Sequence, residues 1–417
     1  MPIKKLFVAL FLIVSTTLFA QQKNGIVSGP WAGNVELRNA SIWVEVTPNV
    51  KAVAVNYTMA GGIPQLKKYT GELGKDFNPL KIELNGLEMN KTYSYTVLID
   101  GKPIKTNYPT QFTTKELWQF RKPAPDFSFL TGSCSYFNEP VFDRPGKPYG
   151  GDSSIFETMA NTPANFHLWL GDNWYTREVD YFTPWGLNYR ASRDRSLPIL
   201  QKFWASMPQY AIWDDHDFGP NDGNSSFVFK DESREVFKNY WLNPSYGENG
   251  KGVYTKFSFS DVDFFLLDDR FFRDADNLPD SINGQPNTQK RMYGDEQLRW
   301  LQNALATSSG TFKIIATGSQ VLNPYSPYDC VRSFPVDYSM LMKTITDNKK
   351  IFRETDITIG KTYAHIKKYK TILIDDTKVD DILKNINNKK KKTIISQEVY
   401  DKMIQFDIDT SPYIIKN

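Results

Sequence analysis

Histidine is nearly missing from this chain: there are three in 417 residues, and no two stand in His-x-x-x-His spacing. That scarcity excludes a hydrolase centre built from clustered imidazoles around zinc. Cysteine is scarcer still, with only Cys134 and Cys330, so no disulfide framework holds the fold and a hydrophobic core must do so. A single bridge between the two stays open. Cys134, however, ends Thr131-Gly132-Ser133-Cys134 just after the β-rich run 127–130, where loops present chemistry, so a ligand role is preferred for it and none is assigned to Cys330. Neither sign of charge dominates: 50 Lys and Arg against 47 Asp and Glu leave +3. That balance gives no case for nucleic acid or an acidic membrane surface as a partner. Beyond the N-terminus no apolar run approaches the ~20 residues of a spanning helix.

The N-terminus itself is distinctive. Met1-Pro2-Ile3-Lys4-Lys5 is basic, Leu6 to Val14 is apolar, and Ser15 to Ala20 is small or polar apart from Leu18 and Phe19. This order predicts a signal peptide over 1–20 and a secreted or periplasmic protein without a stable membrane anchor. No Arg-Arg pair precedes the apolar run and no cysteine sits at the cut to take a lipid, which favours the general secretory route. With 40% hydrophobic and 14% aromatic residues, the remainder can bury a substantial core in two domains.

Residues 24–117 read as an all-β domain. Apolar residues alternate in Ile42, Val44, Val46, in Val53, Val55, Tyr57 and in Tyr93, Tyr95, Val97, Ile99, and Asp100-Gly101 supplies a hairpin turn. Leu87, six residues before Tyr93, suggests a tyrosine corner and an immunoglobulin- or fibronectin-like sandwich. From 118 the pattern changes to β-rich runs that each stop at a polar loop, with helical spacing between several of them, as in Leu298, Leu301 and Leu305. Strands alternating with helices, with reactive residues after strand ends, describe an α/β or α/β/β/α enzyme domain. Beyond about 350 the sequence turns Lys-, Asn- and Ile-rich, including Lys389-Lys390-Lys391-Lys392.

The loops hold nearly all the candidate ligands: Cys134, then Asp172 and Tyr175, then Asp214, Asp215 and His216 in Trp213-Asp214-Asp215-His216-Asp217. Adjacent carboxylates repel, and burial makes each costly unless a cation or hydrogen bonds compensate. Thiolate with phenolate suits a trivalent iron, whereas Asp and Asn oxygens suit calcium, magnesium or manganese. The set suggests two unlike metals sharing a carboxylate. A solvated acidic turn is the plain alternative for the Asp run. His167, inside an apolar run, is read as a hydrogen-bonded core residue, and His365 has no motif around it.

Taken in order, Gly132-Ser133-Cys134, Gly171-Asp172-Asn173-Trp174-Tyr175, Tyr189-Arg190, Ile212 to Asp222, Leu267-Asp268-Asp269-Arg270 and Gly294-Asp295-Glu296-Gln297-Leu298 resemble the PhoD-like alkaline phosphatase and phosphodiesterase family, a branch of the metallophosphoesterases. The resemblance covers about 24–350. It implies an α/β/β/α sandwich behind the β-domain and a secreted hydrolase of small phosphate esters with an Fe3+ and Ca2+ centre, where Mn2+ or Mg2+ could replace calcium. Cys134 and Tyr175 would lie on iron, Asp172 would bridge, and Asp215 or Asn221 would hold the second metal. His216 would face the phosphate and serve the leaving oxygen. Arg190 and Arg270 would clamp phosphate, or form structural ion pairs with nearby Asp residues.

After about 350 the resemblance stops. The Gly-Asp-Arg-His-like motif with which family members continue is absent from 351–417, so the site is expected to lack one or two ligands and the fold a strand. Two other functions therefore stand beside the hydrolase: an inactive or truncated relative that only binds, and an adhesion or carbohydrate-binding protein led by its β-domain.

Overall fold

In the computed structural model of the chain, the described residues are 25–323, 329–347, 393–396 and 413–416. The predicted leader, His365 and most of 351–417 lie outside them. Eight strands come first: β1 (Ile26–Gly33), β2 (Asn39–Val46), β3 (Val53–Met59), β4 (Gln65–Lys68), β5 (Asn78–Asn85), β6 (Thr92–Ile99), β7 (Lys102–Pro103) and β8 (Gln111–Thr113). They form two sheets, β1-β2-β5 and β4-β3-β6-β7, with β8 also on β6. In β3 and β6 the predicted alternation holds, with Val53, Val55, Tyr57, Tyr93, Tyr95, Val97 and Ile99 buried, because the strand period of two sends one face to a core shared with Ile42, Val44 and Leu80. Asp100 and Gly101 have φ of 49° and 80°, as a two-residue hairpin turn requires, and close the turn where Ile99 pairs with Lys102. Tyr93 Oη accepts a hydrogen bond from Glu88 N–H at 2.9 Å, the upstream backbone contact of a tyrosine corner.

Alternation fails in β2, where Ser41, Trp43 and Glu45 are buried along with Ile42, Val44 and Val46. The second face of β2 packs on helices of the following region. That region contains β9 (Phe129–Gly132), α1 (Ile155–Asn161), β10 (Phe166–Leu170), α2 (Pro184–Arg195), α3 (Pro198–Ser206), β11 (Gln209–Ile212), α4 (Asp215–Phe218), α5 (Lys230–Tyr240), β12 (Thr255–Phe259) and β13 (Val262–Leu266). A small hairpin, β14 (Ser281–Ile282) with β15 (Gln285–Pro286), then precedes α6 (Gly294–Ala306), β16 (Phe312–Ala316) and α7 (Pro335–Asp347). Helix α2 starts where Thr183 Oγ1 accepts from Gly186 N–H at 3.0 Å and Pro184 follows, a side-chain cap with proline in the first turn.

Strands β11-β10-β9 form one parallel sheet, with Trp169 opposite Gly132 and Ala211. Strands β12-β13-β16 form a mixed one, with Phe264 opposite Phe257 and Ile314. Phe166 meets Phe264 edge-on at 5.3 Å and Tyr210 stacks on Phe257 at 3.9 Å, so the two sheets lie face to face. The neighbouring residues point outward: Trp169 meets Trp204 of α3 at 5.3 Å, and Phe265 clusters with Leu298, Leu301 and Leu341 of α6 and α7. The layers therefore run helix, sheet, sheet, helix, a mixed α/β architecture. Each such side chain removed from water contributes about 1.5–3 kcal/mol. Among the described residues no helix is long and apolar enough to cross a membrane. Two further strands, β17 (Thr393–Ser396) and β18 (Tyr413–Lys416), pair in parallel and belong to a separate unit.

Candidate metal centre

Parallel pairing brings the carboxyl ends of β9, β10 and β11 to one rim, and their loops are sewn together by backbone. Cys134 N–H donates to Gly171 O at 3.2 Å and Ser135 N–H to Asp172 O at 2.9 Å. Cys134 and Asp172 both adopt left-handed backbone, φ 59° and 53°, an uncommon conformation that turns each side chain sharply out of its strand. Gly171 must be glycine: φ is 97° and a Cβ there would lie 2.6 Å from Asp214 Cβ, so its absence lets the β10 and β11 ends touch.

Three donors converge on one point. Tyr175 Oη donates to Asp172 Oδ2 at 3.0 Å, and Cys134 Sγ lies 3.3 Å from the same oxygen. Burial, with Asp172 and Cys134 adding to it, pushes the Tyr175 phenol far above its ordinary value. One oxygen each from Asp172, Asp214 and Asp215 lies within 4.8 Å of the others, and all three residues are buried. The Tyr175 ring packs on the His216 ring at 4.2 Å. Burial pulls the His216 imidazole below its usual value even though Asp215 and Asp214 push it upward, so the neutral ring is favoured.

The Asp run divides into three tasks. Asp214 is paired with Arg270, whose Nε and Nη2 lie 2.6 and 2.5 Å from its Oδ1. Asp215 accepts from Asp222 N–H at 2.8 Å and lies 4.0 Å from Arg270 Nη2. Asp217 accepts from the N–H groups of Asn173 at 2.8 Å, Trp174 at 3.3 Å and Asp214 at 2.9 Å, a loop clasp in which burial lifts its carboxyl to about 8. From the second sheet, Asp268 accepts from Trp213 Nε1–H at 2.7 Å. Asp269 accepts from Ser319 Oγ–H at 2.6 Å and is pushed up by burial and by Asp214.

Of the predicted site residues, Cys134, Asp172, Tyr175, Asp215, His216 and Arg270 come together. Asn221 lines the same cavity as Cys134, Tyr175 and His216, with its Nδ2–H donating to Asp222 Oδ2 at 2.6 Å. Arg190 stands apart. Its guanidinium is buried in ion pairs with Glu139 at 2.7 Å, Asp180 at 2.8 Å and Asp194 at 3.4 Å through Nη1 and Nε, the arrangement of a structural ion pair. His167 is a core residue edge-on to Trp169 and Phe203. Its ring nitrogens have no hydrogen-bond partner among the described residues, contrary to the expected hydrogen-bonded histidine, and burial holds it neutral with a value near 3. Cys134 and Cys330 are not joined in a disulfide. Two residues went unseen in the sequence: Asp329, 2.9 Å from Arg270 Nη2, for which no motif exists, and Tyr136, whose ring lies 4.8 Å from that of Tyr175 and whose only signal is its place two residues after Cys134.

Three buried carboxylates with one guanidinium among them leave net negative charge, and sulfur, phenol and carboxylate oxygens meet at one point. A cation answers both facts, and the donors fit the thiolate-plus-phenolate and carboxylate preferences of hard and trivalent ions.

Residues 129–326 match the family model described as PhoD-like phosphatase. Alkaline phosphatase D of Bacillus subtilis (strain 168) is 25% identical over 305 residues, which are 61% of this chain and 50% of that protein; the chain thus spans half the length of this curated relative. A solved structure of PhoD superposes with a TM-score of 0.60 at 17% identity, covering 81% of this chain and 71% of the other, which supports the mixed α/β fold. A purple acid phosphatase from yellow lupin (Lupinus luteus) aligns at 13% identity and a TM-score of 0.46, over 70% of this chain and 51% of that one.

Proposed function

Since the chain belongs to the PhoD-like phosphatase family through residues 129–326, we propose that it is an exported hydrolase of small phosphate esters that works with two metal ions. Cys134 and Tyr175 would hold an iron, Asp172 would be shared, and Asp215 with Asn221 would hold a second, harder ion such as calcium. The chemistry such ions supply is neutralisation of the phosphoryl group and activation of water as the nucleophile. Arg270 holds Asp214 and reduces the negative charge that an incoming phosphate must meet. In this reading His216 hydrogen-bonds the leaving oxygen as it departs, supported by its place in the cavity that Cys134 and Tyr175 also line. Asp217 keeps the loop of His216 tied to that of Asp172 through the N–H groups of Asn173 and Trp174.

The observation that carries the proposal is the meeting of Cys134 Sγ and Tyr175 Oη at Asp172 Oδ2, 3.3 and 3.0 Å away. The test is hydrolysis of a chromogenic phosphodiester and phosphomonoester by the iron- and calcium-loaded chain beside Asp172→Ala, with metal content measured in both. A loss of about 10³-fold or more in rate, as for removal of a principal electrostatic group, together with lost metal is the expected result. Full metal retention in the variant would remove the bridging role of Asp172. A second reading, a relative that binds but does not turn over, rests on the absent Gly-Asp-Arg-His-like motif in 351–417. A folded, metal-loaded protein without turnover would establish it.

A further inference from the structure

Beside the cluster lies a cavity of about 380 Å³ whose lining is unusually rich in rings: Tyr175 and His216 from the site, and Tyr136, Phe142, Tyr149 and Tyr181 next to them. Four of the rings run in series from the surface to the cluster. Tyr149 lies 5.5 Å from Tyr136, Tyr136 4.8 Å from Tyr175, and Tyr175 4.2 Å from His216, measured between centroids. The outer members are not consumed by packing: Tyr149 is 64% and Phe142 38% exposed. Large apolar groups left open at the mouth of a cleft mark a ligand surface.

The loop that carries them is fixed. Asn138 clamps Gly150 from both sides, its Nδ2–H donating to Gly150 O at 2.8 Å and its Oδ1 accepting from Gly150 N–H at 3.0 Å. Within that loop Tyr136 Oη–H donates to Asp143 Oδ1 at 2.7 Å, and the Arg177 guanidinium lies 4.4 Å over the Tyr136 ring. Both arginines of the lining are engaged, Arg144 with Glu178 and Arg177 with Asp143, each at 2.9 Å. The cavity therefore offers preset ring faces and no uncommitted arginine for a second anion.

We propose that this cavity is a leaving-group subsite that stacks a planar ring, aryl or nucleobase, on the alcohol side of the phosphate ester. The proposal rests on the hydrolase reading and names its substrate class. Tyr149 is the specificity residue, because it is the most exposed member of the series.

Two pairs of esters with matched alkoxide leaving groups test this: benzyl against butyl phosphate, and adenosine 5′-phosphate against ribose 5-phosphate. Each is assayed with the metal-loaded full chain, Tyr149→Ala and Tyr149→Phe. The ring-bearing member of at least one pair is expected to be preferred by about tenfold or more in kcat/KM, mainly through KM, the scale of one stacked ring. That ratio should collapse toward one in Tyr149→Ala and return in Tyr149→Phe. Preference in the benzyl pair alone assigns an aryl ring; preference in the adenosine pair assigns a nucleobase. Equal kcat/KM within both pairs overturns the subsite and leaves the hydrolase standing. A second readout, saturation-transfer NMR of benzyl alcohol and of adenosine, needs no turnover. Ring binding that disappears in Tyr149→Ala without turnover of any ester upholds ring stacking in the cavity but removes the hydrolase and with it the leaving-group role; absence of ring binding overturns the subsite.

Discussion

Two of the buried arginines of this molecule are accommodated in opposite ways. Arg270, at the strand-end rim, is surrounded by carboxylates: Asp214 at 2.5 Å, Asp329 at 2.9 Å and Asp215 at 4.0 Å. Arg195, at the end of α2 where that helix meets β2, has no hydrogen-bond partner for its guanidinium among the described residues. It is caged by rings instead, with Trp241 at 3.8 Å, Trp204 at 4.7 Å, Trp174 at 5.6 Å, Trp43 at 5.9 Å and Tyr240 at 6.0 Å. The carboxylates fix the charge of Arg270, raising it well above the ordinary arginine value. Burial lowers Arg195 to about 9 despite nearby Tyr240, Asp217 and Glu45. One cation thus balances a cluster of buried carboxylates, while the other fills a ring-lined seam and interacts with ring faces.

Breaking the first arrangement should have the larger effect. Arg270→Met leaves Asp214 and its neighbours without their buried counter-charge, so urea unfolding should show a loss of about 3–5 kcal/mol, and turnover should fall with it. Added metal should restore part of that stability, since a bound cation replaces some of the missing charge. A change under about 1 kcal/mol would mean that the carboxylates do not depend on Arg270.

The rim was largely legible because its residues sit in short runs after apolar strands. Cys134, Asp172, Tyr175 and Asp215 could be grouped from sequence for that reason. What the run Asp214-Asp215-His216-Asp217 conceals is the division of labour, because Asp214 finds Arg270 from another sheet while Asp217 turns back to backbone amides. Arg190 was ambiguous because guanidinium suits phosphate and carboxylate alike, and only the fold brings Glu139 and Asp180 to it. The seam was not legible. The rings around Arg195 come from positions 43, 174, 204, 240 and 241, and no local pattern links them. Burial of Trp43 and Glu45 likewise contradicts the half-exposed face that alternation in β2 suggests.

The seam can be broken in a way that separates volume from charge. At about pH 5, Arg195→Met keeps the side-chain length and removes a desolvated charge, so its stability should stay within about 1 kcal/mol of the parent. Arg195→Ala leaves a cavity among the rings and should cost about 2–4 kcal/mol. The reverse order would show that the cation–ring contacts, rather than space filling, hold the seam.

The smallest expected effect concerns Glu45, which faces Arg195, Ser192 and Tyr240 and accepts a hydrogen bond from Tyr240 Oη–H at 2.8 Å. Burial outweighs those partners and raises its carboxyl from 4.5 to about 7. The folded chain therefore holds this proton more tightly than the unfolded chain does. The associated stability is complete below the unfolded value, declines as pH rises through the interval, and is gone above about pH 7. Other buried carboxyls such as Asp217 titrate with the same sign, so the informative quantity is the difference between parent and Glu45→Gln. Between about pH 5 and 7 the parent should lose about 1–2 kcal/mol more than the variant, measured as the change in urea midpoint across that range. Parallel stability profiles would place the Glu45 carboxyl at its ordinary value and would mean that Arg195 stabilises its charge in spite of burial.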